Sequence, residues 1–179
     1  MLGINPKDRV HFFIDGQNLY GTLRSLQKKM DYRNLVEVFK ENCRLVHANY
    51  FTTIKDNADD RFYGVLDFLE VNGYTVVSKE VRQHTDDRGN VRFRGSMVGD
   101  ITASMVATAC DTRDHLVLFS GDGELVAGVE IAKQRGSRVT VVSDPSVISD
   151  ELKRACDEFV LITDLPPHVL IGEDEEFSR

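Results

Sequence analysis

The sequence predicts a single α/β domain with a mainly parallel sheet flanked by helices. Three observations carry this. Short apolar runs rich in Val, Ile and Phe recur along the chain. Segments with apolar residues at helical spacing separate them, and the connections are long enough for right-handed crossovers. At 179 residues the chain can bury a proper core without covalent staples.

Taken in order, Val10 to Ile14 is an apolar run that stops at Asp15-Gly16 and reads as a core strand. Leu19, Leu23 and Leu26 then fall at helical spacing. A second helix is expected over 31–41, capped by Asp31, with Leu35, Val36 and Phe39 inward. Residues 44–53 form the next strand. Phe62, Val65, Leu66 and Leu69 mark a helix over 59–72, closed by Gly73. A strand over 74–79, or somewhat longer, follows.

Residues 80–96 break the pattern. They are polar, hold the Gly89-Asn90 turn signal, and alternate in Val91-Arg92-Phe93-Arg94, half of a candidate hairpin. From Lys79 to Arg94 this stretch is net positive within an acidic protein, although on the segment alone an ordinary solvated loop is the favoured account. A helix over 96–110 places Ile101, Met105 and Ala109 on one face, with Asp100 and Ser104 on another. His115 to Phe119 is a continuous apolar strand ending in Ser120-Gly-Asp122-Gly-Glu124. A helix to Arg135 closed by Gly136, a strand over 138–143, a helix over 147–156 and a strand over 159–162 complete the domain.

The domain is expected to span 1–165, with an acidic tail over 166–179 that follows Pro166-Pro167, has little to bury and is expected to be frayed or disordered. A formal charge of −7 argues against a protein that coats nucleic acid over its whole surface, but not against a local basic groove. Cys43, Cys110 and Cys156 are widely spaced and show no zinc pattern, so they read as reduced, mostly buried thiols. No stretch has the apolar length of a membrane span, and the first residues lack the features of a signal peptide. The expected setting is cytoplasmic with no membrane partner, and a homodimer is left open.

Two strands end alike, in Phe-Phe-Ile-Asp15-Gly and in Leu-Phe-Ser-Gly-Asp122-Gly-Glu124. Each puts a carboxylate beside a glycine just past a buried strand, where ligands bind in open parallel sheets. If the strands are neighbours, Asp15 and Asp122 share one crevice, and a helix could bring Asp100 there. Crowded acids repel unless a proton or cation lies among them, and oxygen ligands select a hard cation such as Mg²⁺ or Mn²⁺. Singly, each residue has a plainer role: Asp before Gly as a turn residue, Asp100 as a solvated helix residue, Glu124 as a helix-dipole partner.

The sequence resembles the NYN domains, in particular their LabA-like branch, within the PIN-like nuclease fold. The matching pieces are Phe-Ile-Asp15-Gly-Gln-Asn18-Leu, Arg-Gly-Ser-Met-Val-Gly-Asp100-Ile-Thr-Ala-Ser-Met, Phe-Ser-Gly-Asp122-Gly-Glu124-Leu and Ala155-Cys-Asp157-Glu-Phe. They span roughly residues 10–163. The resemblance implies a PIN-like, Rossmann-like three-layer fold and a metal-dependent ribonuclease acting on single-stranded or locally unpaired RNA, leaving 5′-phosphate and 3′-hydroxyl ends.

By the same resemblance Asp15, Asp100 and Asp122 hold Mg²⁺ or Mn²⁺, Asn18 orients a carboxylate or water, and Glu124 joins the catalytic set. Arg92 and Arg94, with Ser120 and Ser104, are the expected substrate contacts. Phe93 or Tyr20 offers a base-stacking surface, with core packing as the competing role. Two departures stand out: relatives often carry a second acid where this chain has Ser104, and often Asp where it has Glu124. Ser104 favours a rival reading, an RNA-binding or regulatory protein with weakened catalysis. A small-molecule phosphatase is a third, opposed by the lack of a second Asp two residues after Asp15.

Overall fold

Seven strands form one sheet because the apolar runs are flanked by residues that must be covered on both faces. The computed structural model describes residues 3–55, 58–85 and 91–172, and the backbone alone for 82–85 and 91–94. In chain order the elements are β1 (Arg9–Asp15), α1 (Gly16–Ser25), β2 (Lys28–Met30), α2 (Tyr32–Asn42), β3 (Arg44–Lys55) and α3 (Asp60–Val71). Next come β4 (Thr75–Thr85), β5 (Val91–Arg94), α4 (Val98–Thr108), β6 (Asp114–Phe119), α5 (Val126–Gln134) and β7 (Arg138–Ser143). The last are α6 (Asp150–Ala155), β8 (Glu158–Leu161) and β9 (Leu170–Gly172).

The sheet order is β5-β4-β3-β1-β6-β7-β8. Every pairing is parallel except β4–β5, which is antiparallel. The chain builds outward from β1 through β3 to β4, then returns to the other side of β1 with β6. That reversal makes the carboxyl ends of β1 and β6 a topological switch point, where adjacent crossovers leave a crevice.

Side-chain alternation divides the core into two layers. Val10, Phe12 and Ile14 of β1, with Val117 and Phe119 of β6, pack against α1, α2 and α3. Phe13, Leu116 and Leu118 face α4, α5 and α6, meeting Ile101, Met105, Val129 and Leu152. Phe12 anchors the first layer, with edge-on contacts to Phe39 and Phe119 at ring separations of 4.5 and 5.4 Å. Gly73 and Gly136 close α3 and α5 at φ of +89° and +94°, a conformation that a Cβ makes costly.

Several boundaries differ from the sequence reading. The helix expected over 147–156 starts only at Asp150, because the Ser149 hydroxyl caps it by accepting the Leu152 N–H over 3.1 Å. The hairpin signal at 91–94 is realised as β5, which extends β4 to Thr85. The expected domain end at 165 is corrected. Beyond Pro166-Pro167 the chain folds back, buries Val169, Leu170 and Ile171, and pairs β9 with β2 in a two-stranded ribbon. Residues 173–179, including the acidic run, lie outside the described residues. Cys43, Cys110 and Cys156 are free, but none is buried as expected: Cys110 is exposed and the other two are partly exposed. Among the described residues no helix is long and apolar enough to cross a membrane.

Candidate functional site

Asp15 is the last residue of β1 and the N-cap of α1, accepting the Asn18 backbone N–H at 3.2 Å. An Asp here satisfies a helix donor and favours the positive end of the helix dipole. Its second oxygen, Oδ2, accepts the Ser120 hydroxyl at 3.0 Å. Ser120, just past β6, also accepts the Asp122 N–H at 3.2 Å. Asp122 in turn accepts the Glu124 N–H at 2.9 Å and caps the single 3₁₀ turn before α5. A chain of bonds thus ties the ends of two adjacent strands together.

Asn18 braces the same junction. Its side-chain oxygen accepts the Gly121 N–H over 2.9 Å, so that oxygen is committed to the backbone of the β6 loop. Gly121 itself touches the segment before α6: a Cβ there would lie 2.8 Å from the Val147 carbonyl oxygen and 2.9 Å from the Ile148 nitrogen. The local sequence folds this way because glycine alone permits that approach.

Asp15 is only 8% exposed. Burial pushes its carboxyl above the usual value, the Asn18 and Ser120 hydrogen bonds pull it back, and the nearby Asp122 charge adds to the rise. The pair is therefore a buried acid beside a second acid, and among the described residues no ion pair to Lys or Arg neutralises either.

Asp100 behaves differently. It lies in the first turn of α4 and forms an ion pair with Lys79 of β4. Alternation explains how they meet. Thr53 and Lys79 are register partners and follow Phe51 and Val77, which face the α4 layer, so Lys79 rises on that face. Among the described residues no group of three or more His, Cys, Asp or Glu is arranged to hold a metal ion.

Ser104 is half-buried, one helical turn beyond Asp100. Glu124 is exposed, tied to the site through its backbone N–H. Tyr20 stands 65% exposed, away from the core packing that competed with a stacking role. The side chains of Arg92, Phe93 and Arg94 lie outside the described residues. Three neighbours escaped the sequence reading as site residues: Lys79, and the Gln17–Thr53 pair, joined at 2.5 Å across α1 and β3. Thr53 lies near the carboxyl end of β3, whereas Lys79 sits in the middle of β4, so the sequence carried no local signal for the lysine.

The NYN domain model matches residues 9–163. The chain belongs to the NYN domain family. It is 32% identical to the low amplitude and bright protein LabA of Synechococcus elongatus over 161 residues, covering 88% of this chain and 85% of that protein. This makes it a LabA-like NYN protein. Among solved structures, a Vibrio parahaemolyticus protein of unknown function, VPA0982, shares the fold at a TM-score of 0.74 and 26% identity. That match covers 89% of this chain and 96% of the other.

The Asp15–Asp122 pair fits a hard divalent cation in one respect. Mg²⁺ is commonly held by only one or two carboxylates, with waters and substrate phosphates completing its shell. Asp15 and Asp122 offer such a pair, and their mutual repulsion is the cost a cation would remove. Asp100 instead carries the Lys79 ammonium.

Proposed function

We propose that this LabA-like NYN protein hydrolyses RNA phosphodiester bonds with Mg²⁺ or Mn²⁺, acting on single-stranded or locally unpaired RNA. The observation that supports this most is the Asp15–Asp122 pair at the β1–β6 switch point, a buried acid and its neighbour braced by Ser120 and Asn18. Family membership supplies the RNA-related context.

In this reading Asp15 and Asp122 hold the cation, and Ser120 keeps Asp15 in its orientation. A bound divalent cation would neutralise the scissile phosphate and make water a better nucleophile for in-line attack. Arg92 and Arg94 grip flanking phosphates from the β4–β5 hairpin, and Tyr20 offers a stacking face. Labelled single-stranded RNA incubated with Mn²⁺, Mg²⁺ or EDTA tests the proposal. Cleavage should need the cation and vanish in Asp122→Asn. No cleavage by the wild type above that variant's background removes the nuclease reading.

The Lys79–Asp100 pair and the neutral Ser104 favour a second reading, an RNA-binding or regulatory NYN protein with little catalysis. RNA retention on a filter without any cleavage is its signature. Ser104→Asp should then restore cutting, or lower the cation requirement, if the remaining site is intact.

A further inference from the structure

The helix that Asp15 caps presents an open stripe to solvent. In α1 the buried side chains Leu19, Thr22 and Leu23 face the core, while Gln17, Tyr20, Gly21 and Arg24 are all exposed. These four fall at i, i+3, i+4 and i+7, so they form one face that starts two residues past Asp15. At about 1.5 Å per residue, Tyr20 stands about 7.5 Å and Arg24 about 13.5 Å along the helix from that acid. Tyr20 is 65% exposed, and among the described residues its ring meets no other ring, whereas Tyr32, Tyr50 and Tyr74 pack on one another. Gly21, beside it, weakens a helix interior, yet its φ is not positive and a Cβ there would meet nothing within 4 Å. The fold does not need a glycine at that point, and the missing side chain leaves the flank of the Tyr20 ring open. Among the described residues Arg24 forms no ion pair. From Gly16 to Met30 the sequence holds the bases Arg24, Lys28 and Lys29 and no acid, within a chain of net charge −7.

We propose that this face of α1 is a track for single-stranded RNA leading away from the Asp15–Asp122 pair, on which Tyr20 stacks against a base and Arg24 binds a backbone phosphate. The track rests on the RNA-directed reading above and deepens it by naming the surface that selects an unpaired strand. Chemistry picks this occupant. An exposed aromatic face accepts any base, but a paired base hides its own faces inside the duplex. A guanidinium with no anion of its own takes a phosphate oxygen without first giving up a partner. No carboxylate of α1 repels the strand, whereas Asp15 and Asp122 do so until a cation lies between them. The strand therefore gains its grip on α1 and is presented from there to the acids.

The test is fluorescence anisotropy of the full chain with a labelled, unstructured RNA oligonucleotide in EDTA, where neither a cation nor cleavage contributes. Wild type should bind, Tyr20→Ala should bind about tenfold more weakly, and Tyr20→Phe should keep the wild-type affinity. Arg24→Gln should reduce the slope of log affinity against log salt by about 0.7, the share of one phosphate on a single strand. Tyr20→Ala should leave that slope unchanged. Arg154→Gln, an exposed base of α6 on the opposite layer, should alter neither quantity. Melting curves confirm that each variant is folded. Unchanged affinity in Tyr20→Ala, or an equal effect from Arg154→Gln and Arg24→Gln, overturns the proposal. So does a Tyr20→Ala loss of the same size on a duplex of the same sequence. Absence of RNA binding by the wild type in EDTA overturns the track and leaves the nuclease reading to the cleavage assay. Binding with the expected losses but no cleavage supports the track and removes only the nuclease reading.

Discussion

The Ser120 hydroxyl donates to Asp15 Oδ2 at 3.0 Å across 105 residues of sequence, joining the carboxyl ends of β1 and β6. The Ser120 hydroxyl oxygen also accepts the Asp122 N–H. Ser120→Ala deletes both bonds at a position only 2% exposed. Leaving buried groups unpartnered typically costs about 1–3 kcal/mol. Urea denaturation should show a loss of that size, with any RNA cleavage falling alongside.

Asp15 is held protonation-prone by burial and by Asp122. A folded-state carboxyl raised above its unfolded value stabilises below the unfolded value and loses that contribution as pH rises through the folded one. Asp15→Asn keeps a good N-cap and removes the charge. It should melt higher than wild type at neutral pH without divalent cation, the gap closing as pH falls toward about 4. Cation at ~100 times Kd should add about 2.7 kcal/mol to the wild type and far less to the variant. A melting temperature unmoved by millimolar Mn²⁺ would count against a metal role for this pair.

At the opposite end of the sheet, His11 and His115 are buried and held below the usual imidazole range, chiefly by desolvation. His11 faces Asp114, which raises it, and His47 and Arg9, which lower it further. For His115, Arg138 lowers while Asp8 and Glu158 raise. A depressed folded value gives stability present above the unfolded value, about 6.5, and lost as pH falls through the folded one. Unfolding free energy should therefore drop between pH 7.5 and 5, and His11→Gln should flatten that slope.

The β2–β9 ribbon is an integral part of the domain. Val169 is fully buried, its carbonyl accepts the Asp31 N–H at 2.8 Å, and the His168 carbonyl accepts Asn34 Nδ2 at 2.9 Å. A chain ending at Leu165 should unfold several degrees below one ending at Gly172. Burying two or three aliphatic side chains is worth about 1.5–3 kcal/mol each. Equal melting of the two would show that the ribbon contributes nothing.

Local chemistry made the fold class and the strand ends of the candidate site legible. Period-two and 3.6-residue patterns mark the strands and helices, and Asp15-Gly and Asp122-Gly sit at strand ends because glycine and a capping acid are needed there. The strand order, which makes β1 and β6 neighbours, required the tertiary structure. So did Ser120 as the bridge, and Lys79 as the partner of Asp100, since an ion pair spanning two elements has no local spacing rule. The β2–β9 ribbon was invisible for the same reason. Strands of three residues carry no usable periodicity, and their hydrogen bonds exist only once Leu170–Gly172 is brought back to Lys28–Met30 by the packing of Leu165 and Val169.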